Sequence, residues 1–520
     1  MRLRRKYAFI FFPFPPYNRG MNKPSVFKNT ALITVIACLE RALGFLYRIV
    51  LARLLGAEGV GVYQIALSHF FLFQTASGGG IPVTLSRTVS RLNAENQRQR
   101  AGGALLAALL LGACISIPIT LILLPLADKI PLFLADALVL KVLLTSLTAT
   151  AAYVAIKGFF WGNKQFFAPA MFEMAEEILT VVLGVLLLTG AQGLSPVGGA
   201  MKAAWAHSLA AILAFLIAII TLLFKKPKWS APTPFVKPIL TAAAPITAVR
   251  SGTTIVSAAV AVLLPAMLQK AGMSQSAALQ AFGVVTGMVL PLIGIPLTVI
   301  GSLAIVLVPE LAEDFQKRNL LRLRKNIERG VFFALALACL LIPFFMAVGQ
   351  PIGQLTYQND LAGEMLARTA FLLLPMSVNA ILVSILNSLG FEKQTFAFSL
   401  VGSAIFLLSI LFLPATVGIY AFPIGLFLQL LIEVICAWSL LKKHCHFSKR
   451  FYQKAALCIG ITAPLGLLGQ LALQGFSLFL GEWLAPICTA AAVLIATCGA
   501  YLLLKLFPSV KFPKKNSSHS

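Results

Sequence analysis

The sequence predicts an all-α polytopic membrane protein. Three observations carry that prediction. The chain has 520 residues, 59% of them hydrophobic and only 11% charged, whereas a soluble domain carries about 25% charged residues. The apolar residues gather into runs long enough for a helix of about 20 residues to cross roughly 30 Å of hydrocarbon. Those runs lack the alternating apolar/polar period of a membrane barrel strand. A large soluble enzyme is excluded, because its surface could not be built from this supply of charge.

Fourteen apolar runs bounded by charges, Pro or Gly are predicted as spans. They lie near residues 29–51, 60–86, 102–127, 137–161, 167–190, 197–224, 238–268, 280–308, 330–349, 364–389, 394–414, 416–441, 455–478 and 483–507. The intervals are short, so no soluble domain of any size is expected.

The formal charge of +25 would suggest nucleic acid in a soluble protein. Here the basic residues sort by side instead. The N-terminal segment (Arg2 to Lys28), Arg87 to Arg100, Lys157 with Lys164, Lys225 to Lys237, Lys317 to Arg329, Lys393, Lys442 to Lys454 and Lys505 to Lys515 hold 33 of the 42 Lys and Arg. With fourteen spans all of these fall on one side, and the opposite loops carry little beyond Arg53, Lys129 and Lys270. Positive loops mark the cytoplasmic face, so both termini are expected there. The charge is dispersed and interleaves with no aromatic platform, so no nucleic-acid partner is expected; the bilayer is.

Residues 1–24 read as an N-terminal extension. Arg-Leu-Arg-Arg-Lys before Tyr7–Phe14 resembles the start of a signal peptide, but the run is short and ends in Pro13, Pro15 and Pro16, with no small-residue cleavage site. Residues 1–20 are either a disordered extension or an over-called start ahead of Met21. The eight cysteines form no CxxC pair. His444-Cys445-His446 with Cys436 fits no common zinc spacing, and no metal is expected.

An internal repeat organises the spans. Gly80-Ile-Pro82 and Gly294-Ile-Pro296 each sit within a span, followed by an apolar stretch and then a charged segment. They lie 214 positions apart (82 to 296), close to the length of six spans. Gly and Pro inside a membrane helix free backbone groups and permit bending, so these four residues are candidate flexure points. Internal repeats of this kind are a mark of transporters. The implied plan is a six-helix lobe over 25–228, a second over 229–445, two extra helices over 446–508 and a tail over 509–520.

The stretch Arg41-Ala-Leu-Gly-Phe-Leu-Tyr-Arg48, continuing through Arg53, Gly56, Glu58, Gly61, Tyr63 and Gln64, resembles the opening of the stage V sporulation protein B family. That family belongs to the multidrug/oligosaccharidyl-lipid/polysaccharide exporter superfamily. Gly80-Ile-Pro-Val-Thr-Leu-Ser-Arg87, Val308-Pro309-Glu310-Leu-Ala-Glu313 and Val417-Gly418-Ile419-Tyr420 fit the same pattern. The resemblance implies two lobes around a central cavity, alternating access, and export of lipid-linked saccharides for the cell envelope or spore cortex. It places the chain in a bacterial cytoplasmic membrane. Lipid II flippases share the Arg-x-Leu-Gly-Phe pattern of Arg41–Phe45; their next arginine aligns nearer Tyr47, with Arg48 adjacent.

Ionisable residues within spans normally face a cavity or a partner, because a charge at the bilayer centre costs about 2.5 kcal/mol or far more. Arg41 and Arg48, two turns apart and so about 10 Å along one helix face, and Arg250 on the matching span of the second half are the candidate substrate-binding residues. Guanidinium groups offer forked donors suited to pyrophosphate. The bland alternative pairs Glu40 with one arginine and lets Arg48 snorkel to the interface. Glu40, Glu173 and Glu433 are candidate ion-coupling residues. Glu173, Glu176 and Glu177 share a helical face and either bind a cation or pair with Lys157 and Lys164 at the surface. His69 and His207 read as hydrogen-bonded packing residues, with Lys202 on the same span as His207.

No catalytic constellation and no cofactor motif is expected; the chain lacks a Gly-rich phosphate loop. The leading function is a flippase for an undecaprenyl-pyrophosphate-linked saccharide. The alternative is a cation-coupled multidrug exporter. A non-transporting scaffold for envelope-synthesis enzymes leaves the intramembrane arginines unexplained, although such enzymes are expected partners.

Overall fold

The computed structural model describes residues 23–129, 137–189 and 195–504. The expected extension at 1–20, the tail at 509–520 and Lys505 to Lys515 lie outside the described residues. Within them the chain forms eighteen α-helices and no strand. Helices α1 (Lys23–Gly78), α2 (Ile81–Ala94), α3 (Ala101–Leu126), α4 (Ala137–Leu144), α5 (Leu147–Gly162), α6 (Phe167–Thr189) and α7 (Pro196–Phe224) make up the first half. The second contains α8 (Thr233–Lys270), α9 (Gln275–Gly283), α10 (Leu290–Gly294), α11 (Leu297–Gln316), α12 (Leu320–Tyr357), α13 (Asp360–Thr369), α14 (Leu373–Ser388), α15 (Glu392–Phe412), α16 (Pro414–Val417) and α17 (Ala421–His444). Helix α18 (Lys449–Leu503) follows.

Local sequence sets the ends and breaks. Side-chain oxygens of Ser195, Ser274, Asn319, Asn359 and Ser448 accept from backbone N–H groups three residues on, satisfying donors that a helix start leaves orphaned. Helix α1 is broken at Gly56 (φ 67°) and α18 at Gly481 (φ 70°), in a region that a side chain would disfavour. Both Gly-Ile-Pro sites interrupt a span. Helix α1 ends at Gly78 and α2 begins at Ile81; α10 ends at Gly294 and α11 begins at Leu297, after a π-helical turn at Val284–Val289.

Ten helices among the described residues are long and apolar enough to cross a membrane, or eleven if α4 and α5, bent by 45°, form one span. The expected segments 29–51, 60–86 and 167–190 also lie on helices, in α1, α1 with α2, and α6. They fall outside that apolar set because they carry Glu40, Arg41 and Arg48; Gln64, His69 and Gln74; and Glu173, Glu176 and Glu177.

The apolar cores show how the halves meet. One core contains Leu51, Tyr63 and Phe70 of α1, Leu144 of α4, Leu264 of α8, Met288, Leu366 of α13 and Phe406 of α15. It therefore joins both halves, at the end where the chain breaks near Gly56 and connects at 271–274 and 358–359. At the opposite end, where the basic segments lie, two cores are separate. Leu85, Leu105, Phe160, Phe172 and Leu222 form one in the first half. Ile300, Leu323, Ile385, Leu441 and Tyr501 form the other in the second half. Helix α18 packs its apolar face against α12.

Helix α8, which follows the expected boundary at 228/229, contributes to cores of both halves. Phe235, Ile239 and Ala243 of α8 belong to the first-half core. The α8 backbone also approaches the break before α2 so closely that a Cβ on Gly80 would stand 2.3 Å from the Ala243 carbonyl oxygen.

Candidate functional site

The first stretch of α1 and the neighbouring α8 carry the three candidate arginines, of which Arg48 and Arg250 interact with the other half. Arg41, Arg48 and Arg250 are all exposed. Arg48 faces an electrostatic environment drawn from both halves: Glu177 of α6, Tyr63 of α1 and Tyr357 at the end of α12. Arg250 donates from Nη1 to the Gly79 carbonyl at 2.7 Å. One turn earlier, Thr247 Oγ1 accepts from the Gly80 backbone N–H at 2.9 Å. Two backbone groups freed by the Gly79–Gly80 break are thus satisfied by α8, as a helix interruption inside a membrane requires. A guanidinium has five N–H donors, so Arg250 retains others for an anion.

The acidic candidates separate into two places. Glu40 lies within electrostatic reach of Glu173, Glu177, Lys157 and Glu176, a first-half cluster on α1, α5 and α6. Lys157 Nζ meets Glu173 Oε1 at 3.0 Å and sits 4.5 Å from the centre of the Tyr153 ring. Lys157 is expected from the sequence in a surface connection. It lies inside α5, its side chain is only 14% exposed, and the pair is embedded between helices. Glu177 fits against α1 because residue 44 is glycine; a Cβ there would stand 2.8 Å from Glu177 Oε1.

Glu433 is in the second half, 7% exposed and part-way along α17. Its carboxylate accepts from Asn379 Nδ2 of α14 at 2.7 Å and from Gln429 Nε2 at 3.0 Å. Gly402 of α15 leaves room for it: a Cβ there would lie 2.9 Å from Glu433 Oε1. A buried carboxylate needs such donors, since an unpaired charge in a low-dielectric interior is costly. Sequence reasoning missed Asn379 and Gln429. The signal was present in Gln429, one turn before Glu433 on the same face; Asn379 could be found only from the packing of α14 on α17.

The flexure candidates divide as well. Gly80 and Pro82 are packed, Pro82 with its backbone against Gly158. A Cβ on Gly294 would meet open space, so the second break has slack that the first lacks. His444 Nδ1 lies 3.0 Å from the Leu440 carbonyl and its ring packs 4.9 Å from Phe391. Among the described residues no group of three His, Cys, Asp or Glu is placed to hold a metal ion.

The sequence profile of the family described as "Polysaccharide biosynthesis protein" matches residues 26–313, more than half of the chain. Stage V sporulation protein B of Bacillus subtilis (strain 168) is 24% identical over 405 residues, covering 74% of this chain and 77% of that protein. Among solved structures, the lipid II flippase MurJ in an inward closed conformation superposes with a TM-score of 0.67 at 15% identity, covering 91% of this chain and 100% of that one. An inward-facing multidrug resistance MATE family transporter of the MOP superfamily superposes with a TM-score of 0.64 at 15% identity, covering 78% and 94%. The all-helical, multi-pass fold is shared with these proteins.

Proposed function

Because this chain belongs to the polysaccharide biosynthesis protein family, we propose that it is a flippase. Its substrate is a saccharide linked to a lipid pyrophosphate of the undecaprenyl type, such as a peptidoglycan precursor. The observation that carries this reading is the exposure of Arg41, Arg48 and Arg250 on α1 and α8, in halves that share one core at one end and have separate cores at the other. An anionic headgroup entering at the end with separate cores meets guanidinium groups suited to phosphate oxygens. Closing that end and opening the other then exposes it to the far side.

In this reading the chain crosses a bacterial cytoplasmic membrane fourteen times, as two six-helix lobes and two further helices. The three polar helices cross with the others because their charged side chains face the interior of the bundle. The basic end is cytoplasmic by the charge of its loops, and so are both termini. Gly80, Pro82, Gly294 and Pro296 are the flexure points. Glu40 and Glu173 in one half and Glu433 in the other are the groups through which a proton or cation gradient acts, and envelope-synthesis enzymes supply and consume the substrate.

Replacing Arg41 and Arg250 with Ala, singly and together, and following externalisation of the lipid-linked precursor tests the proposal. Each change is expected to slow externalisation at least about tenfold, the effect of losing one charge-assisted hydrogen bond. Unchanged externalisation with normal protein levels would sink it. The alternative, a cation-coupled multidrug exporter, is favoured by one observation, the buried Glu433 with its two amide donors. Loss of dye efflux in Glu433→Gln, with precursor externalisation intact, would select that reading.

A further inference from the structure

We propose that Arg53 is the latch of a gate at the end of the molecule opposite the basic loops. Its neighbours explain why. Helix α12 ends at Tyr357, with Gln358 in the left-handed conformation. The last carbonyls of a helix have no partner within it. The Gln358 N–H takes that of Gln354 at 2.9 Å. Those of Leu355 and Thr356 are taken by Arg53 from the other half of the chain, with Nε donating to Thr356 at 2.8 Å and Nη2 to Leu355. A guanidinium at a helix C-terminus also answers the negative end of the helix dipole. Arg53 is therefore a C-cap supplied across the seam between the halves, by a residue some 300 positions away in sequence.

The seam behind it is built to close tightly. After the break at Gly56, α1 lies on α9 with backbone touching backbone. A Cβ on Gly283 would stand 2.1 Å from the Ala57 carbonyl oxygen, and one on Gly61 2.2 Å from that of Leu279. Leu279 itself is buried. On the same seam Ser276 Oγ donates to Glu58, and Gln280 Nε2 donates to Ser276 at 3.2 Å. The dry glycine contact and the polar rim divide the work. Packing excludes water, while Arg53 and Glu58 fix the register of the two halves. Arg53 is exposed, so when the seam parts its donors and the two freed carbonyls pass to water, and opening costs about the net worth of a charge-assisted hydrogen bond without stranding a buried charge. A buried charge pair there would instead lock the gate.

The latch belongs only to the state closed at this end, so removing it should shift the conformational balance without touching the arginines assigned to substrate. In cells, Leu279→Cys is probed from outside with a membrane-impermeant maleimide, above the background of the parent chain. Ser302→Cys, on the exposed part of α11 near the end with separate cores, is probed in inverted vesicles. Adding Arg53→Ala should raise labelling at 279 about tenfold, the worth of a charge-assisted hydrogen bond lost from one state, and lower it at 302. Ser276→Ala should move both sites the same way by less, and Arg53→Lys should fall between. No change at 279 in Arg53→Ala would overturn the proposal. So would a rise at both sites, which reports general loosening.

Discussion

At the scale of single residues, the membrane sorts charges by whether they find partners. Glu433 is held by two amides, and Glu433→Leu is expected to destabilise the second half by about 1–3 kcal/mol through the unpaired Asn379 and Gln429 groups it leaves. Glu433→Gln keeps the shape and should fold normally, so thermal unfolding in detergent separates the structural role from any role in transport. Lys157 makes a different case. It is a basic member of a cluster with four carboxylates, and Lys157→Met leaves Glu40, Glu173 and Glu176 to repel one another, with Arg48 still facing Glu177. That variant should lose about 1 kcal/mol of stability, discounted because Glu173 is partly exposed. Glu173→Gln in the same chain should restore much of it, and the double change read by unfolding midpoint checks the coupling.

At the scale of elements, breaks matter more than lengths. The two Gly-Ile-Pro interruptions occupy corresponding places in the halves, yet their surroundings differ. The first is strapped to α8 by Arg250 and Thr247; the second has open space beside Gly294. Bending at the second break should therefore be the easier motion. Pro296→Ala, which restores a backbone donor to the helix, should slow transport more than it lowers stability. The paired assay of externalisation rate and unfolding temperature would show equal losses if the break were only structural. The glycine seam makes the opposite demand. Gly283→Val introduces a side chain where the Ala57 backbone already stands, and overpacking of this kind costs about 1–3 kcal/mol. It should hold the seam open, seen as permanent labelling at 279.

At the scale of the whole molecule, a core shared at one end and divided at the other is a shape poised for rocking. Packed cores move as bodies and resist continuous deformation. Spin labels at Arg91 on α2 and Lys317 after α11, both exposed at the divided end, should report a long separation in this state. A second, shorter population should grow in Arg53→Ala. One distance, unmoved by the latch, would show that the divided cores do not rock.

Much of this architecture is legible in the sequence. Apolar run lengths placed the helices, because a bilayer demands about 20 apolar residues per crossing. The paired Gly-Ile-Pro sites showed where helices would break, since local backbone chemistry alone interrupts them there. Partnership was not legible. Lys157 read as a loop charge and proved to be embedded beside Glu173. Arg53 read as a stray charge on a sparse loop and proved to cap a helix in the other half. Arg250 read as a candidate substrate-binding residue, and nothing in its neighbourhood in the chain announced its bond to the broken backbone at Gly79. Span positions follow from one-dimensional transfer of apolar surface out of water, which the sequence by itself determines. The donors each buried acceptor meets, and the end at which the halves join, depend on contacts between residues hundreds of positions apart, and only the tertiary structure decided those.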